Sequence, residues 1–142
     1  MALTKENCAC IHGIWSSVAP HPEKYGAEAL HRMFLCDPQT KTYFAGFDFH
    51  KDSPQMKAHG KKVIDALTKA SNHLDNIDGA LSDLSDLHAT NMRVDPANFG
   101  LLSHYIQVVL ACHFPAKFDC HTQQAMDKFL AKVSCVLTSK YR

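Results

Sequence analysis

Two histidines stand on the apolar faces of predicted helices, where an imidazole ring could bind a ligand. In "KAHGKKVIDAL", His59 shares a face with Val63 and Leu67, because residues three and four apart are neighbours on a helix. In "LSDLHATNMRVDP", His88 follows Leu84 by one turn. A single inward histidine is more often a core residue bonded to a backbone carbonyl. Two of them, on helices that could face each other, suggest a flat cofactor held between two rings.

Haem iron and zinc are the two metal centres that such histidines could serve. Haem needs one or two protein ligands and an apolar lining. Zinc needs three or four, yet neither His59 nor His88 has a Cys or His companion one turn away, and H-E-x-x-H is absent from the sequence. The pair favours haem, although two histidines alone are weak evidence. A helical domain without a cofactor is the least favoured alternative, because an unsatisfied buried polar group costs roughly 1 to 3 kcal/mol.

The segments that carry both histidines are predicted to be helices. Apolar residues recur every three to four positions in each long segment, and no segment alternates like a strand. Prolines near the predicted starts suit the first turn of a helix, and Ser53 and Asp95 are suited to cap two of them. The aromatic segment 42–52 has neither period, so we expect it to pack as a loop. The pattern predicts an all-α fold of six or more helices, at about residues 4–17, 22–36, 54–72, 79–89, 96–113 and 119–139.

Length, charge and cysteine usage limit the functional classes. The 142 residues fit one domain, residues 1–142, and the net charge of +1 offers no basic excess for a nucleic acid. The longest apolar run, residues 108–112, is far shorter than the roughly 20 residues that span a bilayer. No signal-peptide pattern is visible, so we expect a soluble, cytosolic protein whose six cysteines are reduced thiols.

The two histidine segments, together with "TYFAGFDF" and the terminal "KYR", closely resemble the globin family, and within it the α-type chains of vertebrate haemoglobins. The resemblance covers essentially the whole chain without an apparent gap. It implies the globin fold, a single domain of about seven to eight helices around one haem b. It also implies reversible binding of O2, and of other small gaseous ligands, in a cooperative α2β2 tetramer with β-type subunits in red blood cells.

The resemblance assigns roles to individual residues of the pocket. His88 matches the proximal ligand of the iron, and His59 matches the distal histidine that donates a hydrogen bond to bound O2. Phe44 would wedge against the haem face, and Val63 would crowd the ligand. Plain core packing explains the remaining apolar matches equally well. The other pocket positions are Leu84, Leu87, Met92, Val94, Asn98, Phe99, Leu102 and Leu137.

The resemblance also implies contacts with other subunits. Lys41 would meet a carboxylate of a β-subunit, and Arg142 would pair with Asp127 and Lys128 of the other α-subunit. Taken alone, the terminal "KYR" could equally be a frayed tail. The other positions that match subunit contacts are Arg32, Thr42, Tyr43, Asp95, Asn98, Pro115, Phe118 and Tyr141.

Four residues depart from the family pattern. Gly46 stands where a histidine that contacts a haem propionate is usual, so haem retention or oxygen affinity could be altered. Ala45 replaces a common proline and Gln39 a common threonine, both at the interface that shifts when the subunits switch, and Asp37 stands where an aromatic residue is usual. The details of that switch are therefore in doubt.

Two other haem functions are less favoured by the sequence. A peroxidase usually sets an arginine beside its distal histidine, but Arg32, Arg93 and Arg142 all lie off the predicted helix of His59. We therefore do not expect an enzyme. A monomeric oxygen store would need no subunit contacts, and the matches at positions such as Tyr43 argue against it.

Overall fold

A computed structural model of the chain describes residues 3–44, 46–88 and 96–139, without the side chain of Pro96. The predictions made for Ala45, Met92, Val94, Asp95, Tyr141 and Arg142 lie outside these ranges. Within them the chain folds into helices alone, seven α-helices and one 3-10 helix. They are α1 (Lys5–Val18), α2 (Pro22–Cys36), the 3-10 helix (Pro38–Tyr43), α3 (Pro54–Ser71), α4 (Ile77–Ala80), α5 (Ser82–Leu87), α6 (Pro96–His113) and α7 (Cys120–Thr138).

The helices begin where side chains can satisfy the first backbone N–H groups. The Thr4 hydroxyl accepts a hydrogen bond from the backbone of Asn7, whose side chain accepts in return from the backbone of Thr4. Ser53 caps α3, and the Asp119 carboxylate caps α7. The lowered pKa of Asp119 has this cap as its main cause, because the backbone of Thr122 donates to the charged carboxylate. The predicted starts of these helices are therefore right to within one residue.

The prediction of one helix over residues 79–89 is wrong. Residues 77–87 form two short helices, α4 and α5, which are separated at Leu81. The backbone angles of Leu81 are φ −108° and ψ 13°, outside the usual helical values. The Asn76 side chain accepts a hydrogen bond from the backbone of Gly79 and caps α4. The leucine period continues across the break, which is why the sequence pattern did not reveal it.

Helices α2 and α3 cross in close contact at two glycines. A Cβ atom on Gly26 would lie 2.1 Å from the carbonyl oxygen of Gly60, and one on Gly60 would lie 2.4 Å from the backbone nitrogen of Ala27. Real Cβ atoms do not come so close to backbone. The crossing therefore requires glycine on both helices, and it fixes the position of His59, which precedes Gly60 on α3.

The core lies between these crossed helices, α1, α6 and α7. The Trp15 ring meets the edge of Phe129 on α7, with 6.5 Å between ring centroids, and its indole N–H donates to Thr68 Oγ1 on α3 at 2.9 Å. The aromatic segment that follows the 3-10 helix packs as the sequence predicts, because Phe44, Phe47 and Phe49 all surround the Phe34 ring on α2. The predicted loop is thus anchored by ring contacts. Among the described helices, none combines the length and apolar character needed to cross a membrane.

Candidate functional site

A cavity of about 300 Å³ opens between the 3-10 helix, α3, α5, α6 and α7. This volume is at the lower end of the range for small-molecule and cofactor sites, and most of the lining is apolar, as in such sites. Both His59 and His88 line it. The structure therefore places together the two histidines that the sequence singled out, on helices that are not adjacent in the chain.

His88 is held at the C-terminal end of α5 by its own helix. The Nδ1 atom of the ring lies 2.8 Å from the carbonyl oxygen of Leu84. A carbonyl only accepts hydrogen bonds, so Nδ1 carries the proton and, in the neutral ring, Nε2 keeps a free lone pair. The Phe99 ring packs against the imidazole, with 5.4 Å between centroids. This is the arrangement of a metal-binding histidine, whose second ring nitrogen usually donates to a carbonyl or carboxylate.

His59 reaches the cavity from α3 and is flanked by aromatic rings. Its centroid lies 5.1 Å from that of Phe44 and 6.2 Å from that of Phe47, both nearly perpendicular to it. Burial is the main cause of its lowered pKa, and the charges of Lys62 and His88 lower the pKa further. The imidazole is therefore neutral at pH 7 and has one N–H to donate into an apolar space.

The other residues predicted to contact the cofactor fall on the same walls wherever the structure describes them. Leu87 lies at the mouth, where it is 38% exposed, whereas Leu137 is buried on α7. Met92 and Val94 lie outside the described residues. The remaining predicted contacts that line the cavity are Phe44, Val63, Leu84, Asn98, Phe99 and Leu102.

Sequence reasoning missed four of the polar residues that line the cavity. Thr40, Lys62, Ser103 and Ser134 all line it. Lys62 follows His59 by three positions on α3, a spacing that places the two side chains on neighbouring parts of the helix surface, so it could have been found. Nothing in the sequence pattern indicated that Thr40, Ser103 and Ser134 would line a cavity. Lys62 matters chemically, because it is a cation next to an otherwise apolar site.

Three of the four departures from the family pattern lie in the described part of the structure. Gly46 has φ +75°, in the left-handed region that favours glycine, and is exposed. The carboxylate of Asp37 accepts hydrogen bonds from the Tyr105 hydroxyl and from the side-chain amide of Gln39. Asp37 and Gln39, which the sequence comparison with the family gave as two separate departures, therefore belong to one hydrogen-bond network.

The predicted subunit-contact residues that the structure describes are exposed or half-exposed. Arg32 pairs with Glu28 at 3.1 Å, and Asp127 accepts from Gln107 at 3.4 Å. The Lys41 ammonium lies over the Phe49 ring, 5.2 Å from its centroid. Asn98 lines the cavity as well. The other described members of this set are Thr42, Tyr43, Pro115, Phe118 and Lys128, while Asp95, Tyr141 and Arg142 lie outside the described ranges.

The donor set at the cavity suits a group that needs few protein ligands. In the parts of the chain that the structure describes, no three His, Cys, Asp or Glu side chains form a cluster able to hold a metal ion. All six cysteines are free thiols. One imidazole with an available Nε2, an apolar enclosure and a second imidazole as donor fit a haem, which takes one axial ligand from the protein and buries an apolar macrocycle.

Comparison with known proteins supports the same assignment. The family model for "Globin" matches residues 27–137, more than half of the chain. The chain belongs to the globin family. This globin is 63% identical to hemoglobin subunit alpha of Xenopus tropicalis over 142 residues, all of both chains. It is 66% identical to hemoglobin subunit alpha-2 of Telmatobius peruvianus over 133 residues, 93% of this chain and 96% of that one.

A third relative, hemoglobin subunit alpha-C of Aquarana catesbeiana, is 60% identical to this globin over 142 residues, again all of both chains. The resemblance to α-subunits of vertebrate haemoglobin is thereby confirmed. The all-α globin fold predicted from the sequence is confirmed too, by the family match and by the helices of the structure.

Proposed function

We propose that this globin carries oxygen reversibly as the α-type subunit of a cooperative α2β2 haemoglobin, with haem b in the described cavity. The observation that carries the proposal is the hydrogen bond from His88 Nδ1 to the Leu84 carbonyl. It fixes the tautomer that leaves Nε2 able to bind iron, at the wall of an apolar cavity that His59 also lines.

The haem iron, when bound, supplies the centre at which dioxygen binds and leaves without net chemistry. His88 would supply the nitrogen that binds the iron, and its bond to Leu84 limits rotation of the imidazole ring. The contact with Phe99 restricts the ring from its flat side. The protein therefore presents one imidazole in a restrained orientation.

His59 acts on the ligand rather than on the cofactor. Because its pKa is lowered by burial, the ring is neutral at pH 7 and donates one N–H. Dioxygen that gains negative charge accepts such a bond better than carbon monoxide does, so His59 favours O2. Phe44 and Phe47 hold the ring by edge contacts and restrict its movement.

The walls and the rim complete the site. Apolar side chains of α3, α5, α6 and α7 exclude water from the cavity, which would protect a bound iron from oxidation, and Val63 narrows the space beside His59. Lys62 lines the cavity from α3, the helix that also carries His59. Its ammonium group is therefore the cation that we expect to pair with a carboxylate of the cofactor. We assign it that role in place of the histidine that position 46 lacks.

The remaining assignments follow from similarity to haemoglobin α-subunits. We propose one globin domain over residues 1–142, β-type partners that contact the surface residues named above, and a location in the cytoplasm of red blood cells. A carrier fits better than an enzyme. The arginine among the described residues, Arg32, lies on α2 and pairs with Glu28, away from His59.

The deciding experiment is an oxygen titration of the reduced, haem-loaded chain, alone and mixed with a β-type haemoglobin chain. We expect a hyperbolic curve alone and a sigmoidal curve in the mixture. His88→Gly should abolish the normal iron spectrum until imidazole is added, whereas His73→Gly, an exposed histidine in the turn after α3, should leave it unchanged. A normal spectrum of His88→Gly without imidazole would refute the proximal role. Hyperbolic curves in both samples would refute the cooperative carrier.

A further inference from the structure

Three side chains form a bridge across the surface beside the cavity. The Tyr105 hydroxyl on α6 donates to Oδ2 of Asp37, and the Gln39 amide donates to Oδ1 of the same carboxylate at 3.3 Å. We call Tyr105, Asp37 and Gln39 the carboxylate bridge. Tyr105 is only 8% exposed, and it lies 68 residues from Asp37 in the chain. The bond to Asp37 is the main cause of the raised pKa of Tyr105.

Asp37 is also the backbone junction between α2 and the 3-10 helix. Its N–H donates to the Met33 carbonyl at 2.8 Å and ends α2. Its carbonyl accepts from both the N–H of Thr40, at 3.0 Å, and the Thr40 hydroxyl, at 2.7 Å. Thr40 is 1% exposed and lines the cavity. A shift of Asp37 would therefore move a wall of the cavity directly.

The other end of the bridge lies on a second wall. Tyr105 is on α6, the helix that contributes Phe99, Leu102 and Ile106 to the lining. The ring of Phe99 contacts the His88 imidazole. The bridge thus joins the helix that supports His88 to the segment that carries Thr40, through one charged carboxylate with two donors. Hydrogen bonds to a charged acceptor are stronger than those between neutral groups.

We propose that Asp37 and Tyr105 are positioning residues of the cavity, which hold the start of the 3-10 helix against α6 and so set the place of Thr40 in the wall. The identity of the ligand in this inference rests on the proposed function. The link from Tyr105 through Asp37 to Thr40 does not. This link explains the departure from the family pattern at position 37. An aromatic ring there could not accept the hydrogen bond from Tyr105 as the Asp37 carboxylate does.

A set of variants of the haem-loaded chain tests the link. Tyr105→Phe, Asp37→Ala and the double variant each lose the bond, and Asp37→Asn keeps an acceptor oxygen. Tyr25→Phe is the matched control, because Tyr25 is similarly buried and its described contacts are made by its ring. Two readouts are needed: amide hydrogen exchange at Thr40, and the rate at which O2 dissociates after stopped-flow mixing.

We expect Thr40 exchange to become about tenfold faster in Tyr105→Phe and in Asp37→Ala, and no faster still in the double variant, as for the loss of one shared hydrogen bond. Oxygen dissociation should change by about twofold or more in the same three proteins. Tyr25→Phe should stay within twofold of the parent in both measurements, and Asp37→Asn, which keeps an acceptor oxygen but loses the charge, should fall between the parent and Asp37→Ala.

The inference is overturned if Thr40 exchange and oxygen dissociation match the parent in Tyr105→Phe and Asp37→Ala, even if their unfolding midpoints fall, because the bond would then serve stability alone. Additive effects in the double variant would also overturn it. A parent chain that binds no oxygen would instead refute the proposed function, and Thr40 exchange would still decide the link.

Discussion

The crossing of α2 and α3 gives the sharpest test of the structure. In Gly60→Ala the new methyl carbon would lie 2.4 Å from the Ala27 nitrogen and 2.5 Å from the Gly26 carbonyl carbon, whereas ordinary contact begins at 3.4 Å. The helices must separate by about 1 Å, because both opposing atoms are backbone. Overpacking of this kind costs about 3 kcal/mol, and the better helix propensity of alanine returns about 1. We expect a net loss of about 2 kcal/mol.

Urea unfolding followed by circular dichroism measures this loss, with both proteins in the same haem-loaded form. Gly13→Ala is the matched control, because Gly13 is an exposed helical glycine and nothing lies within 4 Å of its added methyl group. It should raise the free energy of unfolding by about 0.5 to 1 kcal/mol. If Gly60→Ala were as stable as Gly13→Ala, the close crossing would be refuted.

Three further substitutions test other parts of the molecule. Ser85→Ala removes a buried 2.8 Å hydrogen bond to the Val136 carbonyl. Urea unfolding should show a decrease of about 1 kcal/mol in the free energy of unfolding, because Ser139 still donates to that carbonyl. An unchanged value would contradict the hydrogen bond. Gly46→His places a side chain at φ +75° and should cost about 1 kcal/mol in the same assay, with an unchanged value counting against that backbone. Burial raises the pKa of Glu28, but hydrogen bonds and charges from His113 and Arg32 lower it more, so the net shift is downward. The stability that Glu28 contributes is therefore present above its pKa in the unfolded chain and is lost as the pH falls through its lowered pKa in the folded protein. Glu28→Gln should lower the free energy of unfolding by less than about 1 kcal/mol at pH 7 and should not change it in acid. A difference that does not depend on pH would contradict the pairing.

Helix existence and the two histidines could be predicted from the sequence because both depend on local spacing. Prolines and capping residues such as Ser53 mark helix starts within a few positions of the residues they affect. The break at Leu81 could not be predicted in this way, because it interrupts the backbone without interrupting the apolar period.

The polar parts of the site were harder to predict, for a different reason. Thr40 looks like an ordinary polar residue in the sequence, and its burial depends on elements that arrive from elsewhere in the chain. The bond between Asp37 and Tyr105 joins residues 68 positions apart, so no local pattern contains it. The resemblance to globins supplied what spacing could not, but only where this chain keeps the family residue.

The contact between Trp15 and Phe129 has a consequence for synthesis. One ring belongs to the first helix and the other to the last, and both are almost fully buried. During translation α1 leaves the ribosome long before α7 exists, so Trp15 lacks its contact with Phe129 for most of that time. Exposed apolar surface of this kind promotes aggregation. Shielding of α1 until residue 129 has emerged would therefore reduce aggregation of the nascent chain.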